Sequence, residues 1–364
     1  MSLLLKKPPR RVLLIVTRRI GDVLLTTPLL HSLRLAWPEA AIDVLVFQNT
    51  DGVLRGNPDL HEIITVPEHP GFWQHLKLFV RLFRRYDLAL STLTSDKPTL
   101  YAWVAGKQRI GLLIPERKQR WKQRLLTQWV AFDNRDTHTV LMNLKLAEAL
   151  GIAPSYAVLA SWTAQQAAQL AAALPFDLDA EDYAVLHVYP KFAYKTWPIQ
   201  GWVELAQWLQ ARGLRVVLTG SNAADELDYV ARVSEKMPAN SINMAGRLSL
   251  AESACLLQSA RVYVGPDTVM THIAAAVGVP TVALYGPSNP VKWGPWPQGY
   301  TQARNPYQLR GQQQVERVIL LQGPGDCVPC MEEGCQRHIR SLSDCLQNLP
   351  SQQVIAAVQK LLAL

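Results

Sequence analysis

No apolar run in this 364-residue chain approaches the roughly 20 residues that a membrane span requires. The basic start, with Lys6, Lys7, Arg10 and Arg11, is followed by a short apolar stretch that soon meets Arg18-Arg19. That reads as a first strand and not as a signal peptide, so a cytoplasmic protein is expected. Neither a GxGxxG turn nor a Walker lysine loop is present. There is no sequence repeat and no nucleic-acid motif, so nucleic acid is not expected as a partner. Cysteine is scarce: five in all, four of them crowded near the C-terminus.

The chain is long enough for two domains, each with its own core. Its 37 basic side chains outnumber 29 acidic ones, a formal charge of +8. Such a field favours a polyanionic partner or surface. The charge is clustered: Arg81, Arg84 and Arg85 lie together, and Arg117-Lys118-Gln119-Arg120-Trp121-Lys122-Gln123-Arg124 is dense in basic and aromatic residues. The plain alternative is ordinary solubilising charge.

Strand-like and helix-like runs alternate throughout, the pattern of α/β folding with parallel sheets. Strands are predicted over 12–17, 42–47, 62–66 and 87–92, then over 183–188, 214–219, 240–243, 261–264 and 280–284. Helices are predicted over 22–36, 72–85, 137–150 and 163–174, then over 199–212, 222–236, 249–259 and 267–277. Residues 151–182 lose strand character and carry Pro154 and Pro175, which suggests an interdomain linker. The expected domains are 1–160 and 161–350. An amphipathic helix within 351–364 is expected to pack back toward the first of them.

Two segments repeat one layout, an apolar strand, a tight turn with an acid, and a helix start. Val12–Val16 leads to Gly21-Asp22, and Val262–Val264 leads to Gly265-Pro266-Asp267-Thr268. Open parallel sheets bind ligands at the carboxyl ends of their strands. Each Asp is equally suited to capping its helix. At Asp22 the helix dipole would also keep the carboxylate ionised, as a general base must be. At the second turn, backbone N–H groups and Thr268 suit a diphosphate, while Asp267 suits sugar hydroxyls. His272, one turn further on, reads first as a packed core residue. Lys195-Thr196-Trp197-Pro198 follows a predicted strand, where a lysine can neutralise a leaving diphosphate. Glu226, with Asp225 beside it, begins another helix after a strand and suits a ribose. Asp177-Leu178-Asp179 has a DxD form but falls in the linker.

Cys255 stands alone in a predicted helix. Cys327, Cys330, Cys335 and Cys345 have spacing compatible with a tetrahedral structural Zn or Fe site, and free thiols or disulfides remain open readings.

Taken together, these segments resemble glycosyltransferase family 9, the ADP-heptose:lipopolysaccharide heptosyltransferases, over nearly the whole chain. The most specific are Gly265-Pro266-Asp267-Thr268, His272-Ile273-Ala274-Ala275-Ala276 and Gly278-Val279-Pro280-Thr281. Residues 42–58 look most like the type III branch, and the cysteine tail is more typical of type II. The resemblance implies a GT-B fold, with two Rossmann-like domains whose parallel sheets face each other across a cleft. The first domain would bind acceptor and the second nucleotide-sugar. It implies an inverting transfer of heptose from ADP-L-glycero-D-manno-heptose to the lipopolysaccharide inner core, with no metal or other cofactor required for catalysis. Asp22 matches the general base and Lys195 the donor-contacting lysine. Asp267 and Thr268 match heptose and diphosphate contacts, with Thr196, Glu226, Gly265 and His272 completing the donor site. The acceptor, a phosphorylated core lipid, is expected at Arg18, Arg19, Arg117, Lys118, Arg120, Lys122 and Arg124. Related protein-modifying heptosyltransferases carry a four-cysteine iron site, which makes a structural metal here conceivable. The enzyme would work peripherally on the inner face of the inner membrane. Alternatives are a GT-B enzyme using another nucleotide-sugar or a protein acceptor, and a non-catalytic glycan- or nucleotide-binding relative.

Overall fold

The computed structural model describes residues 7–363; Lys6, with the rest of residues 1–6, and Leu364 lie outside the described residues. The chain divides into two units. One runs to Leu159 and includes Thr301–Asn305; the other covers Ala160–Tyr300 and the chain from Pro306 onward.

The first unit is built on six parallel strands: β1 (Arg11–Val16), β2 (Ala41–Phe47), β3 (Glu62–Val66), β4 (Tyr86–Ser91), β5 (Gly106–Leu113) and β6 (Gln128–Ala131). Their order is β3-β2-β1-β4-β5-β6, with every pair parallel. Val12 to Val16 are wholly buried, as expected of a central strand covered on both faces. The order reverses between β1 and β4, which makes the carboxyl end of β1 the binding position of such a sheet.

The helix predicted over 22–36 is two helices, Ile20–Leu24 and Thr27–Ala36. Pro28, at the second position of the latter, has no N–H to continue the first. The Thr26 and Thr27 hydroxyls donate to the carbonyls of Val23 and Leu24 at 2.7 and 2.8 Å, closing the end of the short helix.

The second unit carries β7 (Tyr183–His187), β8 (Arg215–Thr219), β9 (Ile242–Asn243), β10 (Val262–Pro266), β11 (Thr281–Tyr285), β12 (Gln313–Val315) and β13 (Val318–Gln322). The order is β12-β13-β11-β10-β7-β8-β9, parallel except for β12 against β13. Here the reversal lies between β7 and β10. The helix Ser351–Leu362, expected to pack back toward the first domain, instead buries Val354, Ala357, Val358 and Leu361 in this unit's core. There it lies against the helix Ile199–Gln210 and against β10 and β11. The reason is its apolar face, which completes the cover on one side of the sheet.

Several elements carry no clear signal in the sequence. The helix Asp96–Ala105 runs straight into β5, with Gly106 at once its C-cap and the first residue of the strand. β5 begins Gly-Lys-Gln-Arg, and β6 has only four residues.

Candidate functional site

In the first unit, Asp22 is the third residue of the helix Ile20–Leu24, directly beyond β1. It does not cap that helix: Arg19 occupies the cap position. Its carboxylate therefore stands in the first turn, where the dipole favours negative charge, and its side chain is only 9% exposed. The Arg18 Nε lies 3.6 Å from Asp22 Oδ2. Arg18 and Arg19 are both exposed. Gly21 is helical and not a positive-φ turn.

In the second unit, Asp267 ends the turn after β10, one residue before Thr268, which holds the cap position of the helix Val269–Val277. Lys195 Nζ donates to Asp267 Oδ2 at 2.5 Å, and the Ser288 hydroxyl donates to the same oxygen at 2.6 Å. Tyr285 donates its hydroxyl to Trp293 O at 2.6 Å and stands 3.3 Å from Oδ1. Burial by itself would push the Asp267 carboxyl up, but the Lys195 charge and the Lys195 and Ser288 hydrogen bonds outweigh it and hold the carboxyl below its ordinary value. Asp267 is thus an ionised acceptor fixed in place by two donors, Lys195 and Ser288. Lys195 Nζ also lies 3.4 Å from the Asp267 carbonyl oxygen. An ammonium has three N–H donors, so one remains for a ligand.

Gly265 is demanded by close approach. A Cβ there would sit 2.1 Å from Tyr263 Oη, and that hydroxyl meets Thr271 Oγ1 at 2.9 Å. The tyrosine folds across the glycine and braces the start of the helix. Trp197 does the same for the lysine loop. It is fully buried, donates its Nε1 to Leu349 O at 2.9 Å, and stacks edge-on against Trp202. The Lys195-x-Trp197 spacing therefore seats an anchor two residues from the charge. Thr196 is buried between them with its hydroxyl unpartnered.

A second cluster gathers at the ends of β7 and β8. Glu226, in the first turn of the helix Ala224–Ser234, is buried and accepts a short hydrogen bond from the Ser221 hydroxyl. A Cβ on Gly220 would come within 3.1 Å of Glu226 Oε1, so the glycine lets that carboxylate lie against the strand end. His187 Nε2 is 3.9 Å from Glu226 Oε1, and His187 Nδ1 meets Thr219 Oγ1 at 3.2 Å. Asp225 is exposed, so Glu226 is the acid the fold turns inward. Because β7 lies between β10 and β8, both clusters line one carboxyl edge beside the reversal point. His187, Ser221, Tyr285 and Ser288 escaped sequence reasoning. All four lie at or just past a strand's carboxyl end, a place that marks them as candidates without revealing their partners.

His272 is buried, and its Nδ1 has no hydrogen-bond partner, an unmet requirement of about 1–3 kcal/mol. Burial pushes its imidazole down to about 4. The unfolded chain takes up that proton near its ordinary pKa of about 6.5. Stability from a neutral His272 is therefore complete above about pH 6.5 and lost as pH falls toward 4. We expect His272→Gln to remove on the order of 3 kcal/mol of that acid loss, read as a shallower fall of the urea midpoint between pH 6.5 and 4. An unchanged fall would show that His272 does not remain neutral on burial.

The basic segment is partly helical, Arg120–Leu125, and one of its expected acceptor contacts is corrected. Lys122 is buried; it donates to Thr94 O and pairs with Asp96 at 2.8 Å. It fastens its helix to the start of the helix Asp96–Ala105 and has no charge to spare for a ligand. Arg117, Lys118, Arg120 and Arg124 are exposed.

Cys327, Cys330, Cys335 and Cys345 are free thiols lining one cavity. The backbone N–H of Asp344 donates to Cys335 Sγ at 3.3 Å. Burial, with the neighbouring sulfurs, pushes the Cys345 thiol up to about 11. Among the described residues no three His, Cys, Asp or Glu are placed to share an ion, so the expected structural Zn or Fe gains no support. Also among the described residues, no helix is long and apolar enough to cross a membrane.

The family model for glycosyltransferase family 9 (heptosyltransferase) matches residues 75–320. Lipopolysaccharide heptosyltransferase 3 of Escherichia coli K12 is 29% identical over 297 residues, covering 78% of this chain and 84% of that protein. The glycosyl transferase family 9 structure from Veillonella parvula aligns with TM-score 0.77 at 21% identity, covering 97% of each chain. The E. coli heptosyltransferase WaaC solved with ADP aligns with TM-score 0.73 at 20% identity, covering 96% of this chain and 99% of that one. The two parallel-sheet α/β units expected from the sequence are thus the fold of solved GT-B heptosyltransferases.

Proposed function

The chain belongs to glycosyltransferase family 9, the heptosyltransferases, and from that membership we propose that it moves heptose from ADP-L-glycero-D-manno-heptose to the phosphorylated inner core of lipopolysaccharide. The names of its relatives support this acceptor class, and the ADP in WaaC supports the donor. The observation that carries most weight is the ionised Asp267, pinned by Lys195 and Ser288 at the reversal point of the second sheet.

In this reading Asp267 accepts hydroxyl groups of the heptose at Oδ1, the oxygen that Lys195 and Ser288 do not take. The free N–H of Lys195, Thr268 and the backbone amides starting the helix Val269–Val277 hold the diphosphate and stabilise its charge as it departs. That is the role a divalent cation fills elsewhere, so the transfer needs none. Glu226 takes the ribose, while His272 Nδ1 finds its missing partner in the donor. Asp22 takes the proton of the acceptor hydroxyl as that oxygen attacks the anomeric carbon. Attack comes from the face opposite ADP, and the configuration inverts. Arg18, Arg19, Arg117, Lys118, Arg120 and Arg124 meet acceptor phosphates. The enzyme works on the cytoplasmic side, at the inner leaflet.

Purified protein with ADP-heptose and truncated core acceptors, phosphorylated and dephosphorylated, tests this. Transfer with an inverted product is expected. No transfer from ADP-heptose, with transfer from another nucleotide-sugar, would overturn the donor assignment. Arg117→Gln with Lys118→Gln and Arg120→Gln should raise KM severalfold for the phosphorylated acceptor only. Added salt should weaken the wild-type enzyme on that acceptor, because exposed charges are screened beyond about 8 Å at physiological ionic strength. Equal shifts on both acceptors would make the segment a merely solvated one.

A further inference from the structure

The helix Phe72–Leu82 has two apolar faces, and only one is used by the fold. Leu78 and Leu82 are buried in the first unit's core, with Phe79 packed against it. On the other side Phe72, Trp73, Leu76, Val80 and Phe83 are 73%, 71%, 43%, 72% and 69% exposed. At 3.6 residues per turn these five fall in one stripe roughly 100° wide. The rings of Phe72 and Trp73 touch edge to face, 5.4 Å between centroids. Soluble proteins rarely leave such a patch to water without a use for it.

Charge identifies what covers it. Residues 69–86 contain no Asp or Glu, whereas Lys77, Arg81, Arg84 and Arg85 are all present and exposed. Lys77 and Arg81 follow the apolar stripe around the helix, so the basic sector borders it directly. Arg81 is engaged with Glu62 at 2.6 Å, and Arg84 donates to Gly106 O at 3.2 Å. A carbonyl does not cancel the Arg84 charge, so Lys77, Arg84 and Arg85 carry the outward charge. A helix with aromatic and aliphatic residues on one face and cations alongside suits the interface of an anionic bilayer, lying flat with its apolar face among the acyl chains. Tryptophan is favoured at that depth.

We propose that the helix Phe72–Leu82, with the turn Phe83-Arg84-Arg85, docks the enzyme onto an anionic lipid surface. The idea rests on the function above only in that a lipid-anchored acceptor gives docking a purpose. Its test needs no catalysis.

Co-sedimentation of the whole protein with vesicles of phosphatidylglycerol and phosphatidylethanolamine is expected to show binding that weakens with salt. Vesicles of phosphatidylcholine should bind much less. Lys77→Gln with Arg85→Gln should lower binding to anionic vesicles about 25-fold, from roughly 1 kcal/mol per charge at the surface. Trp73→Ser with Val80→Ser and Phe83→Ser should lower it at least as far. All five residues are exposed, so Tm and transfer to a soluble, lipid-free acceptor should hold. Wild-type binding that ignores these substitutions overturns the proposal. So does self-association in the absence of lipid that the serine variant abolishes, since the patch would then be a protein interface. If vesicle binding follows the pattern but heptose is never transferred, the docking surface stands and the functional reading fails. Normal transfer without vesicle binding overturns the docking surface and leaves the functional reading intact.

Discussion

Asp22→Asn is expected to slow heptosyl transfer by roughly 10²–10⁴ while ADP affinity and Tm stay near those of the parent protein. Asparagine keeps the size and the polar contacts of the side chain but cannot take a proton at neutral pH. What it gives up through the Arg18 pair is small. The Arg18 partner is 47% exposed and 3.6 Å away, and pairs of that kind contribute about 1 kcal/mol or less. The favourable dipole term for an acid in the first turn is of similar size. Structural damage of that order cannot produce a loss of several kcal/mol in the reaction barrier. Rate and stability therefore separate cleanly in this variant. Near-normal turnover would remove Asp22 from the chemistry, and a loss of ADP affinity would assign it a binding role instead.

What the sequence disclosed here follows from what the physics makes local. β1, β7 and β10 are continuous apolar runs bounded by turn residues, and such runs announce themselves. β5 and β6 do not: the first carries exposed Lys107 and half-buried Arg109, and its first residue, Gly106, also closes the preceding helix. The roles of acids at helix starts were only half legible. Local rules made Asp22 and Asp267 candidate caps, but the caps are Arg19 and Thr268, neither with a side-chain cap bond. An acid shifted off the cap is left to other partners, as Asp267 is to Lys195 and Ser288. Lys122 shows the opposite limit. Within a run of basic residues nothing in the sequence distinguishes the one that turns inward, because its partner Asp96 lies 26 positions away on another helix. Ser288 and Tyr285 were hidden for the same reason, since their contact to Asp267 spans about 20 residues and a sheet crossover.

The Lys195–Asp267 pair offers the sharpest separation of structure from function. Both side chains are largely out of water, at 16% and 10% exposure. Asp267→Ala would leave the ammonium unpaired and strip Ser288 of its partner. Lys195→Ala would leave a buried carboxylate with only the Ser288 hydroxyl as donor. Breaking such a pair costs about 3–5 kcal/mol, so both variants should lose stability as well as donor affinity, and neither alone says which loss is primary. Lys195→Met combined with Asp267→Asn removes both charges at nearly constant volume. Neutral replacement of a buried pair is often close to neutral for stability, so the double variant should recover much of the urea midpoint lost by the single ones. If the pair also holds the donor, ADP binding by calorimetry and transfer should stay at least tenfold below the parent despite that recovery. The sugar would have lost its acceptor at Asp267, and the diphosphate its cation at Lys195. Recovery of ADP affinity together with stability would mean that the pair only shapes the turn. A donor affinity left intact in both single variants would take Lys195 and Asp267 out of the site altogether.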